Sequence, residues 1–441
     1  MTWAKRSAAG WSCQRISATP NATGFFPPGA VFWLFLSQVL SADGSCREAL
    51  MKFLVGLFLD TGQTASANTS GYCQARAKLS TRELFQTSGR VADKIEATAA
   101  AWLWKGRRVK VADGSGLSMP DTRANQKRWP QSSKAKPGCS FPVMRIVALF
   151  SLATGAMIGL AHDALAVHER TLMRSLWHLL QWGDVLLADR GFGGFAEFFL
   201  LARRGVDCVM RKNGRRKNAG VIKRIAPNDH IVRWLKSGAC PKWLDPQTWN
   251  DMPQSMAVRE VKVRVENPGF RTDVIWVVTT LLDNRAFTAG DIAQLYLRRW
   301  KVELFLRDIK ITMKMDVLRC KTPAMVEKET WMRVIAYNLV RALMMEAAGA
   351  YNANVERISF KGTVSTIRQW APALSLPKLS EEERLALSSL MLSYLAQNQL
   401  PDRPGRVEPR ARKRRPKNFQ LLNKPRGEFK EIMHRNRYKK A

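Results

Sequence analysis

Acidic side chains are scarce in this 441-residue sequence: 36 Asp and Glu stand against 71 Lys and Arg, a formal charge of +35. Such a chain calls for a polyanionic partner, DNA or RNA, bound by phosphate neutralisation and counterion release. Cysteine is also sparse. The seven thiols, at Cys13, Cys46, Cys73, Cys139, Cys208, Cys240 and Cys320, are odd in number and include no CxxC pair. Neither a disulfide framework nor a cysteine zinc site fits that scatter, and the five histidines add no ligand spacing, so free thiols in a reducing compartment are expected. Long hydrophobic runs are missing. Phe32 to Leu40 is short and follows Pro27 and Pro28, and Val147 to Ala161 cannot span a bilayer. Met1 to Ala30 has no apolar segment leading to a small-residue cleavage site, so a soluble cytoplasmic protein without membrane contact is expected.

What is present centres on Tyr296 to Lys310, YLRRWKVELFLRDIK, a run free of proline and glycine that reads as one helix. Tyr296, Arg299, Glu303 and Lys310 fall within roughly 60° of arc on a regular helix. One face therefore carries a phenol, a guanidinium, a carboxylate and an ammonium, while the surrounding Leu, Val, Phe and Ile point elsewhere and predict burial. Taken alone, the same residues also fit a buried helix with an ordinary Arg299–Glu303 pair one turn apart and a solvated Lys310.

Two aspartates share a second context. Val109 to Ala112 predicts a strand ending on Asp113 before Gly114-Ser115-Gly116, and Asp184 to Ala188 a strand ending on Asp189 in LLADRGFG. Such a carboxylate suits chemistry, although it is also a common turn or capping residue. Neighbouring strands would bring both to one sheet edge. Strands at Pro142 to Phe150 and Ala156 to Ala161, joined by a Thr154-Gly155 turn, lie between them, followed by a helix over His168 to Gln181. A helix at Phe195 to Arg204 and a strand at Val206 to Arg211 complete the order of an RNase H-like α/β core.

The expected organisation is a disordered extension over 1–25, a helical DNA-binding domain or plain helical bundle over 26–104, and core over 105–211. A β-rich insertion (212–285) precedes the catalytic and following helices (286–348), a helical region (349–400) and a basic tail (401–441). The tail holds 15 Lys and Arg against 4 Asp and Glu, a surplus of +11 concentrated at Arg410 to Lys417, suited to phosphates or simply to solvation. In the insertion, Trp234, Trp243, Trp249 and Trp276 are candidate base-stacking platforms, with packing the competing use. Arg128, Arg190 and Arg211 are further candidate DNA contacts beside the two aspartate strands.

Tyr-x2-Arg-x3-Glu-x6-Lys, as Tyr296, Arg299, Glu303 and Lys310, resembles the YREK signature of DDE transposases of the insertion-sequence-4 family, as do VADGS at Asp113, LLADRGF at Asp189 and VVTTLLD at 277–283. The resemblance covers roughly residues 25 to 425. It implies Asp113, Asp189 and Glu303 as catalytic triad and metal ligands, the β-rich insertion, and Trp276 as a candidate for accommodating an extruded base. It implies a bacterial, nucleoid-associated enzyme acting on transposon ends, as a homodimer in its synaptic complex.

The residue types fit that chemistry. Three converging carboxylates repel one another unless divalent cations neutralise them, and hard oxygen donors favour Mg²⁺, with Mn²⁺ as substitute. Two ions about 4 Å apart suit in-line phosphodiester displacement by water or a 3′-hydroxyl, so nicking and strand transfer differ only in nucleophile. Arg299 and Lys310 would hold phosphates, and Tyr296 would hydrogen-bond a phosphate or stack on a terminal base. An RNase H-like structure-specific nuclease and a catalytically dead DNA-binding repressor are the competing readings.

Overall fold

The computed structural model describes residues 26–136, 138–214, 216, 219–236, 238–265, 274–401 and 424–429. The N-terminal extension and the basic run Arg410 to Lys417 lie outside these residues. Among the described residues, no helix is long and apolar enough to cross a membrane.

Among the described residues, nine strands form one sheet: β1 (Val109–Ser118), β2 (Val143–Ser151), β3 (Met157–Ala164), β4 (Val185–Ala188), β5 (Asp207–Arg211), β6 (Val221–Ala226), β7 (Asp229–Leu235), β8 (Ser255–Arg264) and β9 (Val274–Thr279). Their order is β3-β2-β1-β4-β5-β9-β8-β7-β6. β1, β2 and β3 form an antiparallel meander, and β1, β4 and β5 run parallel through helical crossovers. The α/β core expected from the sequence is therefore present. The strands of the insertion do not stand apart from it, because β9 pairs antiparallel with β5 and carries the sheet outward.

Strand alternation sorts the core into two layers. Val109, Val111 and Leu117 of β1, with Val185 and Leu187 of β4, face one apolar cluster. Ala112, Leu186 and Ala188 face the other, under the crossover helices Glu169–Ser175 and Phe195–Arg203. Burial on both sides explains why β4 reads as an unbroken apolar run.

The first layer is built on the helix Pro323–Ala350, which is buried around almost its whole circumference. It packs against helix Thr81–Glu96 and grips the β2–β3 turn. The Tyr337 hydroxyl donates to the Gly155 carbonyl at 2.7 Å, the Asn338 amide exchanges two hydrogen bonds with the Met157 backbone, and Arg341 Nε donates to the Thr154 carbonyl at 2.9 Å. Gly155 has φ +69°, and a Cβ there would lie 2.4 Å from the Arg341 guanidinium, so the turn needs glycine for conformation and for space.

Three expectations are corrected. β1 does not end at Asp113. Gly114, Ser115 and Gly116 continue the strand, opposite Val147, Ile146 and Arg145 of β2, because ladder pairing outweighs the turn preference of that tripeptide. The helix expected over His168 to Gln181 is only Glu169–Ser175 followed by a tight turn at Trp177–Leu179. Tyr296 to Lys310 is not one regular helix: Ala289–Leu297 passes through a 3₁₀ turn at Arg298–Trp300 into Lys301–Arg307, then a π-helical turn at Asp308–Thr312.

Candidate active site

β1 and β4 pair in parallel with Val111 opposite Leu187. Asp113 lies within β1 two residues beyond Val111, and Asp189 directly follows the end of β4 at Ala188. Asp113 follows the alternation of Val109 and Val111 toward the face covered by the segment Ala289–Thr312, and Asp189 lies within electrostatic reach of Tyr296 on that segment. That segment starts at a capping box between Thr288 and Asp291, and its Leu295, Val302, Phe305 and Ile309 anchor it in the same apolar cluster.

Anchoring leaves Tyr296 and Arg299 buried and the Glu303 carboxylate about half exposed. The Arg299 guanidinium lies 5.0 Å from the Trp300 ring centroid and 5.9 Å from that of Tyr296. Its nearest approach to Glu303 is a long 3.9 Å, and its buried Nε has no hydrogen-bond partner among the described residues. A surface pair one helical turn apart would not leave a buried guanidinium nitrogen unsatisfied.

The electrostatics tie these groups together. Burial pushes the Asp113 carboxyl up from its ordinary range; the Gly114 N–H, donating at 2.8 Å, and Arg299 oppose this, while Glu303 and Glu169 add to it. Burial also pushes the Tyr296 phenol up to about 12, with Arg299 and Arg211 opposing and Asp189 reinforcing. Asp113 thus feels Glu303, Tyr296 feels Asp189, and Arg299 acts on both. Lys310 reaches the same strand from the π-helical turn, its ammonium donating to Ser115 Oγ at 2.7 Å and to the Gly116 carbonyl at 2.9 Å.

A family model described as Transposase DDE domain matches residues 104–339, the stretch that contains all of these residues. The chain belongs to the DDE transposase family. The transposase InsG of insertion sequence element IS4, from Escherichia coli K12, is 27% identical over 359 residues, covering 79% of this chain and 77% of its own. A piggyBac transposase synaptic complex with hairpin DNA covers 91% of this chain and 82% of its own at 11% identity, with a TM-score of 0.44. Family and IS4 kinship agree with the signature residues in making this chain an insertion-sequence transposase.

The remaining sequence candidates in the transposase divide. Arg211, half-buried at the end of β5, lies within electrostatic reach of Tyr296, and Arg190 is exposed directly after Asp189. Arg128 is instead held at β3 by Asp163, 2.8 Å away, and covers the Trp129 ring. Trp276 is half-buried on β9 against His230, with ring centroids 5.3 Å apart. Trp234 and Trp249 are buried, and Trp243 packs against Trp177 and under Arg174. These three serve packing, because the helix Pro246–Asp251 and the strands of the insertion close over them. Ser115 and Glu169 are not marked by the sequence; Ser115 shares the face of Asp113, while Glu169, on the helix over the opposite face and 3.7 Å from Arg145, acts on Asp113 only through its charge.

DDE transposases generally use divalent metal ions. Among the described residues, no three His, Cys, Asp or Glu side chains stand close enough together to hold one as they are placed. The chemistry of the donors nevertheless fits: oxygen-only ligands, with Asp113 pushed toward its neutral form by burial and by two carboxylate neighbours, are what a hard cation relieves.

Proposed function

We propose that Asp113, Asp189 and Glu303 form the catalytic centre of this insertion-sequence transposase and hold Mg²⁺, two ions per site, with Mn²⁺ able to substitute. The substrate is double-stranded DNA at the element's terminal inverted repeats, which is nicked and then joined to target DNA. The observation that supports this reading is the parallel pairing of β1 with β4, with Asp113 and Asp189 each two residues beyond the paired Val111 and Leu187, together with the electrostatic links of Asp113 to Glu303 and of Asp189 to Tyr296. When bound there, the divalent ions supply neutralisation of the carboxylates, activation of the attacking hydroxyl and stabilisation of the leaving oxygen.

The chain's own residues do the rest. Asp113 and Asp189 sit on or at the end of paired strands and form the rigid part of the site, while the half-exposed Glu303 is free to close on it from the helix. Arg299 offers a preformed guanidinium fork to a phosphate beside the scissile bond, at little ordering cost because ring faces and burial already fix it. Tyr296, neutral over the working pH range, donates a hydrogen bond or stacks but does not act as a base. Arg190 and Arg211 extend the basic rim, and a homodimer brings the two element ends together.

The test uses a labelled duplex carrying the element's own terminal repeat, with Mg²⁺. Wild type is expected to nick at the repeat boundary, and Asp189→Asn to bind with unchanged affinity without nicking. Binding by both proteins with cutting by neither would favour the repressor reading; cutting of branched DNA irrespective of the repeat would favour a structure-specific nuclease.

A further inference from the structure

The Lys310 ammonium does not simply extend into solvent. Both acceptors described for it above lie on β1, 195 and 194 residues away in sequence, immediately beyond Asp113. Ser115 is two residues from Asp113, so strand alternation puts the two side chains on the same face. The chain around Lys310 is stitched to this strand as well. The Lys310 carbonyl accepts from the Asp316 N–H at 3.2 Å, the Ser118 N–H donates to the Asp316 carbonyl at 2.9 Å, and the Leu318 N–H donates to the Ser118 carbonyl at 2.8 Å. The π-helical turn therefore delivers the lysine stem to β1, and the hydroxyl receives its end.

We propose that Ser115 is a positioning residue: its hydroxyl holds the Lys310 ammonium beside Asp113, where the phosphate next to the scissile bond is to be met. The inference rests on the reading of Lys310 as a phosphate-binding residue. A lysine carries its charge on a four-carbon stem with high rotamer freedom, and fixing the end in advance removes the cost of ordering it when DNA arrives. The Gly116 carbonyl contributes to the same anchor, but only the Ser115 hydroxyl can be removed by substitution without touching the backbone.

The test is a double-mutant cycle of Ser115→Ala and Lys310→Ala in the full chain, with Ser115→Thr as the conservative control, read by single-turnover cleavage of the terminal-repeat duplex. Ser115→Ala is expected to slow cleavage about tenfold. Ser115→Thr is expected to restore the rate to within about twofold, and the double variant to be no slower than Lys310→Ala alone, because a residue acting through Lys310 has nothing left to act on. Additive losses, or a wild-type rate in Ser115→Ala, would overturn the proposal. So would loss in both Ser115 variants with a lowered thermal midpoint, which would make Ser115 a packing residue. Should wild type itself not cut, that failure falls on the triad. The cycle is then read on DNA affinity against salt, where Lys310→Ala is expected to lower the slope by about one. Ser115→Ala should weaken binding only while Lys310 is present, and independent effects there would again overturn the role of Ser115.

Discussion

In the outer half of the sheet, each buried acid on β7 and β8 is answered by a cation. Asp229, 3% exposed, receives Arg259 Nε at 2.7 Å and Nη2 at 2.5 Å, and Glu260, 1% exposed, receives Lys212 at 2.8 Å. Buried acids of the inner half away from the carboxylate site are treated alike, Asp184 by Arg108 and Glu197 by Arg170 and Arg174. Where β1 meets the helix the rule is broken. Asp113 accepts one backbone N–H and feels the charges of Glu303 and Glu169, which lie 3.9 Å from Arg299 and 3.7 Å from Arg145 respectively, with Arg299 as the only cation among the main influences on Asp113 itself. The acids buried in the sheet are paired, whereas at this place carboxylates share one field, which is how a site that takes its countercharge from outside is built; Asp308 on the π-helical turn, with Arg307 3.6 Å away, is the other acid that burial raises, to about 6.

The comparison can be broken from either side. The largest effect is expected in the outer half. Arg259→Ala strands Asp229 and removes the guanidinium contact to the Phe287 carbonyl at 2.6 Å, so denaturant unfolding should show a loss of about 3–5 kcal/mol. A loss below about 1 kcal/mol would mean that the outer pairs are no more structural than surface pairs. At the site the sign reverses. Because the folded-state carboxyl of Asp113 is raised, its ionised form costs stability above that value, and the cost vanishes as pH falls through it. Asp113→Asn keeps an acceptor for the Gly114 N–H and is expected to gain up to about 1 kcal/mol at pH 7 and nothing in acid, while abolishing cleavage. A clear destabilisation at pH 7 would contradict the contrast. The smallest effect belongs to Glu169→Gln. Removing that charge lets Asp113 ionise more readily, so the acid limb of the cleavage profile should move to lower pH, with no change on the alkaline side; movement to higher pH would contradict the assignment.

Much of the core was legible because its signals are local. LLADRGF announces a strand end at Asp189, and the spacing of Tyr296, Arg299 and Glu303 announces one helical face. At Asp113 the reading of the sequence is partly wrong. Its glycines look like a turn, yet they continue β1, and Gly114 serves instead to let the Glu169 carboxylate approach, since a Cβ there would lie 2.3 Å from it. Nothing local marks Glu169, which is 55 residues further along the chain. The irregular turns around Arg299 and Lys310 follow from packing of Ile309 and from the tether to Ser115, neither of which is written in helix propensity. Trp234 and Trp249 illustrate the same limit: side chains suited to bases are buried by strands whose pairing only the folded sheet reveals.

The measurement that bears most directly on the three carboxylates is single-turnover cleavage of the terminal-repeat duplex in Mg²⁺ by wild type and Glu303→Gln, with DNA affinity measured in parallel. Glu303 is half exposed and makes no contact on which folding depends, so the variant should fold and bind DNA within about threefold of wild type. Cleavage is expected to fall by at least about 100-fold. Equal cutting by the two proteins would contradict the account, because the helix bearing Glu303 would then contribute no catalytic carboxylate.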